Sequence, residues 1–346
     1  MARVVANARI IAGHTQGKSP EKARPRIRQG GLDWCTHGAD WPNRGSSRFV
    51  KVADLTWHVQ IMGNGPVLLL AHGAGASTSS WRDLMPSLAR YFTVVAPDLP
   101  GHAFTGAPQA SGMTLNGMAI GLGALMQELG VSPAVAVGHS AGAAILAGLV
   151  LSAGIAAPAV LVALNGAMLP MPGVAGRVFR AAAKVLAHTP VAPRVFSFRA
   201  RRPGLVEKMI ANTGSRLDAP GLSYYGRLLS NPEHVRNVIR MMAHWEPRHA
   251  GLASLPCRLV LVAADGDSAI PPKVARRIAG LVPGCELIVH KGYGHLSHEE
   301  APEETVAFIL QAARASGVLV DSEGAGRPAV LPQRSSAPGH PLEAAA

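Results

Sequence analysis

The chain has 346 residues, 48% of them apolar and 16% charged. That excludes a disordered protein over most of its length and provides for one large domain or two ordinary ones. Lys and Arg number 33 against 21 Asp and Glu, a net +12 held in two blocks. Residues 1–30 carry seven basic residues and one acid, residues 168–250 thirteen and four, and the remainder is slightly acidic. Charge so confined points to a basic arm and one basic module, and away from a nucleic-acid-binding chain.

Residues 1–30 lack the continuous apolar stretch of a secretory signal and read as a flexible basic arm. Strands are expected at 55–62, 66–71, 92–96, 134–138, 158–164, 258–263 and 286–290, and helices at 78–90, 113–129, 141–153, 272–281 and 301–315. Short, wholly apolar strands separated by helices predict a mostly parallel, doubly wound α/β sheet buried on both faces. Leu129–Gly176 contains no charged residue, but glycines and Pro158 divide it into strand, helix and strand, so it reads as core rather than as a membrane span. The alternation stops near 168 and resumes near 256. Between them lie helical stretches at 175–187, 204–213 and 232–246, too long for a connection and therefore an inserted helical module. The expected organisation is an arm (1–30), a core (31–167), a helical lid (168–250), the rest of the core (251–320) and a disordered Gly/Pro/Ser/Ala-rich tail (321–346). Cys35, Cys257 and Cys285 are far apart and fit neither zinc spacing nor a disulfide framework, which favours a reducing cytoplasm.

Gly138-His139-Ser140-Ala141-Gly142 follows an apolar strand and precedes an Ala-rich helix. This is the G-x-S-x-G turn in its required strand–turn–helix context, which lifts a serine hydroxyl clear of the sheet. The loop His72-Gly73-Ala74-Gly75 follows the strand at 66–71, so the backbone N–H groups of Ala74 and Ala141 are candidate oxyanion donors. The order of such sites is serine, acid, histidine. Downstream, Asp267 and His295 each follow a strand and are the candidate orienting acid and general base. Asp265 is the rival acid, with a turn-capping alternative, and His298 the weaker rival base. Asp98–His102 reads as a structural turn, with His102 and His139 as hydrogen-bonding neighbours. His72, Gly73, His139, Met241 and Trp245 are further candidates for substrate contact. No metal or cofactor is expected: the histidines are scattered, and neither His-Glu-x-x-His, Cys-x-x-Cys nor a dinucleotide fingerprint is present.

His72-Gly73, Asp98–His102, Gly138–Gly142, Asp267–Pro271 and Gly294-His295 together resemble the α/β-hydrolase superfamily across about 45–316. That resemblance implies an α/β-hydrolase fold with an inserted helical cap. Ser140 speaks against the haloalkane dehalogenase and epoxide hydrolase branches, which use Asp there. A narrower likeness rests on Asp40–Arg44, Ser47–Val50, Trp57–Gln60, Gly75–Asp83, Gly138–Ala144, Ala163–Ala167, Thr213-Gly214-Ser215 and Met241–Ala243. These strings resemble the magnesium-chelatase accessory hydrolases of bacteriochlorophyll synthesis. The resemblance implies a tetrapyrrole substrate and magnesium-chelatase subunits as partners. Ala103, where many relatives have Gly, and Ala264 are small departures that touch turns.

The cations of the expected lid are Arg177, Arg180, Lys184, Arg194, Arg199, Arg201, Arg202, Lys208, Arg216, Arg227, Arg236, Arg240 and Arg248. They admit three readings: a grip on substrate carboxylates, docking to an acidic protein or anionic membrane surface, or a solvated helical face. Three functions follow: a serine hydrolase of a tetrapyrrole ester or acyl bond, a non-catalytic porphyrin-binding chelatase assistant, or a generic carboxylesterase or lactonase.

Overall fold

The computed structural model describes residues 31–320, apart from 153–154, 171–172 and 248. The expected arm, the expected tail and Arg248 lie outside the described residues. Eight strands form one sheet: β1 (Ser47–Val52), β2 (Leu55–Met62), β3 (Val67–Ala71), β4 (Thr93–Pro97), β5 (Val135–His139), β6 (Val160–Leu164), β7 (Arg258–Ala264) and β8 (Glu286–His290). Their order is β1-β2-β4-β3-β5-β6-β7-β8. β2 is antiparallel to β1 and β4, and all the other pairings are parallel.

The apolar strand sequences follow from burial on both faces. Leu69, Ala71, Ala136, Leu161, Ala163, Leu259 and Leu261 belong to one core, with α3 (Leu115–Glu128) and α4 (Ala141–Leu151) packed on it. Their neighbours Leu68, Leu70, Val135, Val137, Val160, Val162, Val260 and Val262 belong to the other, under α2 (Leu84–Leu88) and α12 (Pro302–Ala315). Each buried Leu or Val contributes about 1.5–3 kcal/mol of apolar transfer, so the two-period alternation fixes the register. α4 is apolar all round because it is almost wholly enclosed.

The segment expected as one helix at 78–90 is instead a 3-10 turn, Thr78–Trp81, followed by α2. Ser77 Oγ accepts from Ser79 N and Asp98 Oδ1 from Thr78 N, so side chains take the amides that a continuous helix would use. β1 and α1 (Trp34–His37) were not expected. Between β6 and β7 run α5 (Gly173–Ala187), α6 (Val191–Ala200), α7 (Leu205–Ala211), α8 (Ala219–Leu229) and α9 (Pro232–Ala243). α10 (Pro272–Leu281) and α11 (Ser297–Glu300) complete the chain order. The inserted helices are tied to the rest by Arg227, which grips Asp40, and by Arg82, which reaches Asp218 at 2.8 Å.

Ala103 is fully buried with φ +43, in the left-handed region that favours glycine. It persists because its N–H donates to His234 Nδ1 at 3.1 Å and its carbonyl accepts from Leu32 N at 3.2 Å. Among the described residues no helix is long and apolar enough to cross a membrane.

Candidate active site

The carboxyl ends of β3, β5, β6, β7 and β8 supply the site, as open parallel sheets do. β5 ends at His139 and α4 begins at Ala141, which leaves Ser140 in the turn at φ +50, ψ −115. That conformation is strained for a side-chain-bearing residue. It is held by Ser140 N donating to Leu164 O at 3.0 Å and by Ala167 N donating to Ser140 O at 2.9 Å. Gly142 cannot carry a side chain, because a Cβ there would lie 2.0 Å from the Ala71 carbonyl oxygen. Its bareness lets α4 start directly against the end of β3.

Gly73 lies against the serine, since a Cβ on it would meet Ser140 Cβ at 3.1 Å. Neither Ala74 N–H nor Ala141 N–H donates a hydrogen bond among the described residues. Ala141 is the residue after the serine and Ala74 the residue after Gly73, so both unengaged amides belong to segments that meet at the Ser140 turn. His72 shapes this loop. Its Nε2 accepts from Leu99 N at 2.9 Å, so its Nδ1 carries the proton and donates to Gly73 O at 2.8 Å. With both nitrogens engaged and no exposed surface, His72 has none free for a ligand.

Asp267 and His295 meet at 2.7 Å, Oδ2 to Nδ1. The remaining acceptor sites of Asp267 are filled by Ala269 N at 2.8 Å, Ile270 N at 2.7 Å and Asn165 Nδ2 at 2.7 Å. All four N–H groups are directed at the Asp267 carboxylate oxygens, which accept, so Nδ1 is the donating nitrogen of His295 and Nε2 is its other, unshared one. The His295 carbonyl accepts from His139 Nε2 at 2.9 Å, and the two rings sit 4.8 Å apart, which sets His295 beside the Ser140 turn. Ser140 Oγ itself makes no hydrogen bond among the described residues.

The rivals have other work. Asp265 is exposed and accepts from Gly292 N at 2.7 Å, bracing the turn after β8. His298 is fully buried and bonds Ser80 Oγ at 2.9 Å. Asp98 is buried and pairs with His58 at 2.7 Å. Its carboxyl pKa stays low because His58 and the Thr78 amide outweigh burial, the largest single influence. Met241 and Trp245 are buried where the end of α9 packs into the main core beside Ala141 and Met168.

Three features were not anticipated as site residues. Asn165, left-handed at φ +49 after β6, carries the amide that holds Asp267 and accepts from Ser297 Oγ at 3.0 Å. Its signal was an Asn-Gly step closing an apolar strand. Thr213-Gly214-Ser215, from the insertion, threads between the acid and base loops. Thr213 O accepts from both Ser268 N and His295 N at 3.2 Å, and Ser215 Oγ accepts from Leu296 N at 2.8 Å. His234 on α9 faces Gly75 O at 3.2 Å and Asn237 Nδ2 donates to Gly101 O at 3.2 Å, so α9 pins the loops after β3 and β4. Gly214 has φ +85, and a Cβ there would lie 2.0 Å from Gly266 O. Gly214→Ala is therefore expected to cost about 2–4 kcal/mol and to loosen His295 from Asp267. Thermal unfolding with unchanged midpoint would contradict that clasp.

His72, His102, His139, His234 and His298 are buried, and burial lowers each ring's pKa, to about 4 for His234 and about 3 for His298. The stability they contribute is fully present above about 6.5 and is lost as pH falls toward those folded values. Glu299 acts in the opposite sense: burial raises it to about 7, so its contribution, present at acid pH, is lost as pH rises through about 7. Five histidines outweigh one glutamate at about 1.4 kcal/mol per pH unit for each proton taken up only on unfolding. The urea midpoint is expected to fall steeply from pH 6.5 to 5, and a flat profile would rule out neutral buried rings.

Among the described residues no group of three or more His, Cys, Asp or Glu is placed to hold a metal ion. A cavity of about 480 Å³ lies along α4 between Ala144 and Leu151, and Ser140, Asp267 and His295 are not part of its lining. Leu115, Ala144, Met168, Leu252, Lys184 and His244 are among the residues that line it.

Residues 68–308 match the alpha/beta hydrolase family. The chain belongs to that family. It is 40% identical over 277 residues to the magnesium-chelatase 30 kDa subunit of Rhodobacter capsulatus, a match covering 79% of this chain and 96% of that protein. The solved structure of a thermophilic esterase from Thermogutta terrifontis superposes with TM-score 0.62 at 22% identity, covering 78% of this chain and 98% of that one. The enol-lactonase of Burkholderia xenovorans LB400 gives TM-score 0.63 at 16% identity over 77% of this chain and all of that one. These two likenesses speak to the fold alone.

Proposed function

We propose that the chain is a serine hydrolase acting on an ester or acyl bond of a tetrapyrrole, in the service of magnesium chelatase. The observation that carries the chemistry is the four-donor seat of Asp267, which fixes His295 Nδ1 as a donor and so leaves Nε2 available to Ser140. Ser140 Oγ attacks the acyl carbonyl as His295 Nε2 takes its proton, and the Ala74 and Ala141 N–H groups hold the oxyanion. Collapse breaks the acyl C–O bond, and His295 returns the proton to the departing alcohol. Water, deprotonated by His295, then releases the acid and restores Ser140. The substrate class rests on the kinship with the chelatase subunit. The lid role belongs to α5–α9, and the setting is the cytoplasm, where Cys35, Cys257 and Cys285 remain unpaired.

The test is intact-mass analysis after a fluorophosphonate probe, with peptide mapping, and hydrolysis of porphyrin methyl esters beside short acyl esters. One adduct on the Ser140 peptide and preferential porphyrin-ester cleavage are expected. A folded protein that takes no adduct would overturn the catalytic reading. A second reading, a non-catalytic porphyrin-binding assistant of the chelatase, is favoured by the missing hydrogen bond from Ser140 Oγ. It predicts tetrapyrrole binding and chelatase stimulation with no adduct. Cleavage of short esters alone, without tetrapyrrole binding, would indicate a generic esterase.

A further inference from the structure

We propose that α5 and α6 form a docking face for an anionic lipid bilayer. The two helices expose large apolar side chains that a water-facing surface does not need: Val178 at 60%, Val185 at 68%, Leu186 at 41%, Val191 at 60%, Val195 at 50% and Phe198 at 65%. They are ordered by helical spacing. Val178, Val185 and Leu186 stand at i, i+7 and i+8, with exposed Ala181 and Ala182 between them. Val191, Val195 and Phe198 stand at i, i+4 and i+7. The opposite side of α6 buries Pro193, Ser197 and Ala200, and both helices pack on α9.

Charge selects the partner. Lys184, Arg194, Arg199, Arg201 and Arg202 are exposed on or beside these helices. None is ion-paired among the described residues. No acidic residue occurs between Glu128 and Glu207. The other lid cations differ: Arg227 pairs with Asp40 and Arg236 with Glu233. A protein interface concentrates aromatic residues in a core depleted of charge. Among the described exposed side chains here one aromatic, Phe198, and scattered aliphatic residues are interleaved with cations, the pattern of helices that lie in the plane of a headgroup layer. α9, on which both helices pack, also pins the loops after β3 and β4 through His234 and Asn237, so a bilayer on this face would engage the lid rather than those loops. This inference stands apart from the proposed chemistry, and its test uses no turnover.

The full chain is sedimented with vesicles of phosphatidylcholine alone and of phosphatidylcholine with phosphatidylglycerol, at low and high salt. Wild type is expected on the anionic vesicles only, with binding weakened by salt. Val195→Ser with Phe198→Ser should lower partitioning about tenfold or more, and Arg199→Gln with Arg202→Gln by roughly tenfold. Phe198→Trp should retain or tighten binding, a result that misfolding cannot imitate. Wild type that ignores both vesicles would overturn the proposal. So would anionic binding unchanged by the serine pair, which would place it in residues 1–30, or binding abolished by the glutamine pair but indifferent to the apolar changes, the behaviour of an acidic protein's docking site.

Discussion

Ser140→Ala is expected to lower hydrolysis of any ester the protein cleaves by a factor on the order of 10⁶, while leaving the fold in place. The magnitude follows from removing the only atom that forms the covalent bond; the amides of Ala74 and Ala141 remain and account for the residual rate. The fold is expected to survive because the turn is held by backbone bonds, Ser140 N to Leu164 O and Ala167 N to Ser140 O, and the hydroxyl makes no hydrogen bond. Alanine also tolerates the φ of +50 no worse than serine does. Single-turnover acylation and thermal unfolding check both halves. Activity within tenfold of wild type would remove Ser140 from the chemistry, whereas lost activity with a collapsed melting curve would show only that the turn had failed. Tetrapyrrole affinity in the same variant separates binding from turnover: an unchanged Kd with no hydrolysis places the serine in the chemical step alone.

The parts of the sequence that were legible are those whose residues carry a local signature. β3, β4, β5, β6 and β7 were visible because burial on both faces demands apolar runs, and the candidates Ser140 and Asp267 were visible because they follow two of those runs. β1 was missed for the complementary reason. It is an antiparallel edge strand, Ser-Arg-Phe-Val-Lys-Val, whose residues are half-buried or exposed, so it lacks the apolar run that marks those five. α6 was missed because Pro193 and its β-branched and aromatic residues make it a poor helix on propensity, stabilised by packing on α9 and α8. α8 carried a signal that was available: Asp218 accepts from Gly221 N at 2.8 Å with Pro220 in the first turn.

The supporting members of the site were illegible for a different reason. Asn165 acts on a residue more than a hundred positions away, Thr213 on loops that follow β7 and β8, and His234 on a loop that follows β3. The Asn165-Gly166 step marks a turn, but nothing in a local pattern announces which distant residue such a side chain will hold. Asn165 and Thr213 surfaced in the sequence only within strings shared with a family, without roles, and His234 did not surface at all. The same holds for the basic module, which composition treated as one unit. The structure divides it into cations spent on ion pairs with the fold, such as Arg227, and cations with no ion pair among the described residues, such as Arg199 and Arg202.

Asp267→Asn is expected to lower kcat/KM by about 10⁴, with Asp265→Asn within roughly twofold of wild type. Asp267 faces donors on every side: Ala269 N and Ile270 N on Oδ1, Asn165 Nδ2 and His295 Nδ1 on Oδ2. An amide must turn its NH₂ toward one pair. Facing the backbone pair it meets two fixed N–H groups, so it turns instead toward Asn165 and His295. There His295 can respond only by moving its proton to Nε2, which then points a donor at Ser140 and cannot accept its proton. Asn165 has no such escape, because its own Oδ1 already accepts from Ser297 Oγ, and one donor is left facing another. The variant should therefore lose about 1–3 kcal/mol of stability beside its activity, and Asn165→Ala placed on Asp267→Asn should restore part of the stability and none of the rate. Equal losses from Asp265→Asn and Asp267→Asn would show that the acid's identity does not matter, and the four-donor seat would then be a structural lock between β6, β7 and β8 rather than the device that fixes the histidine's tautomer.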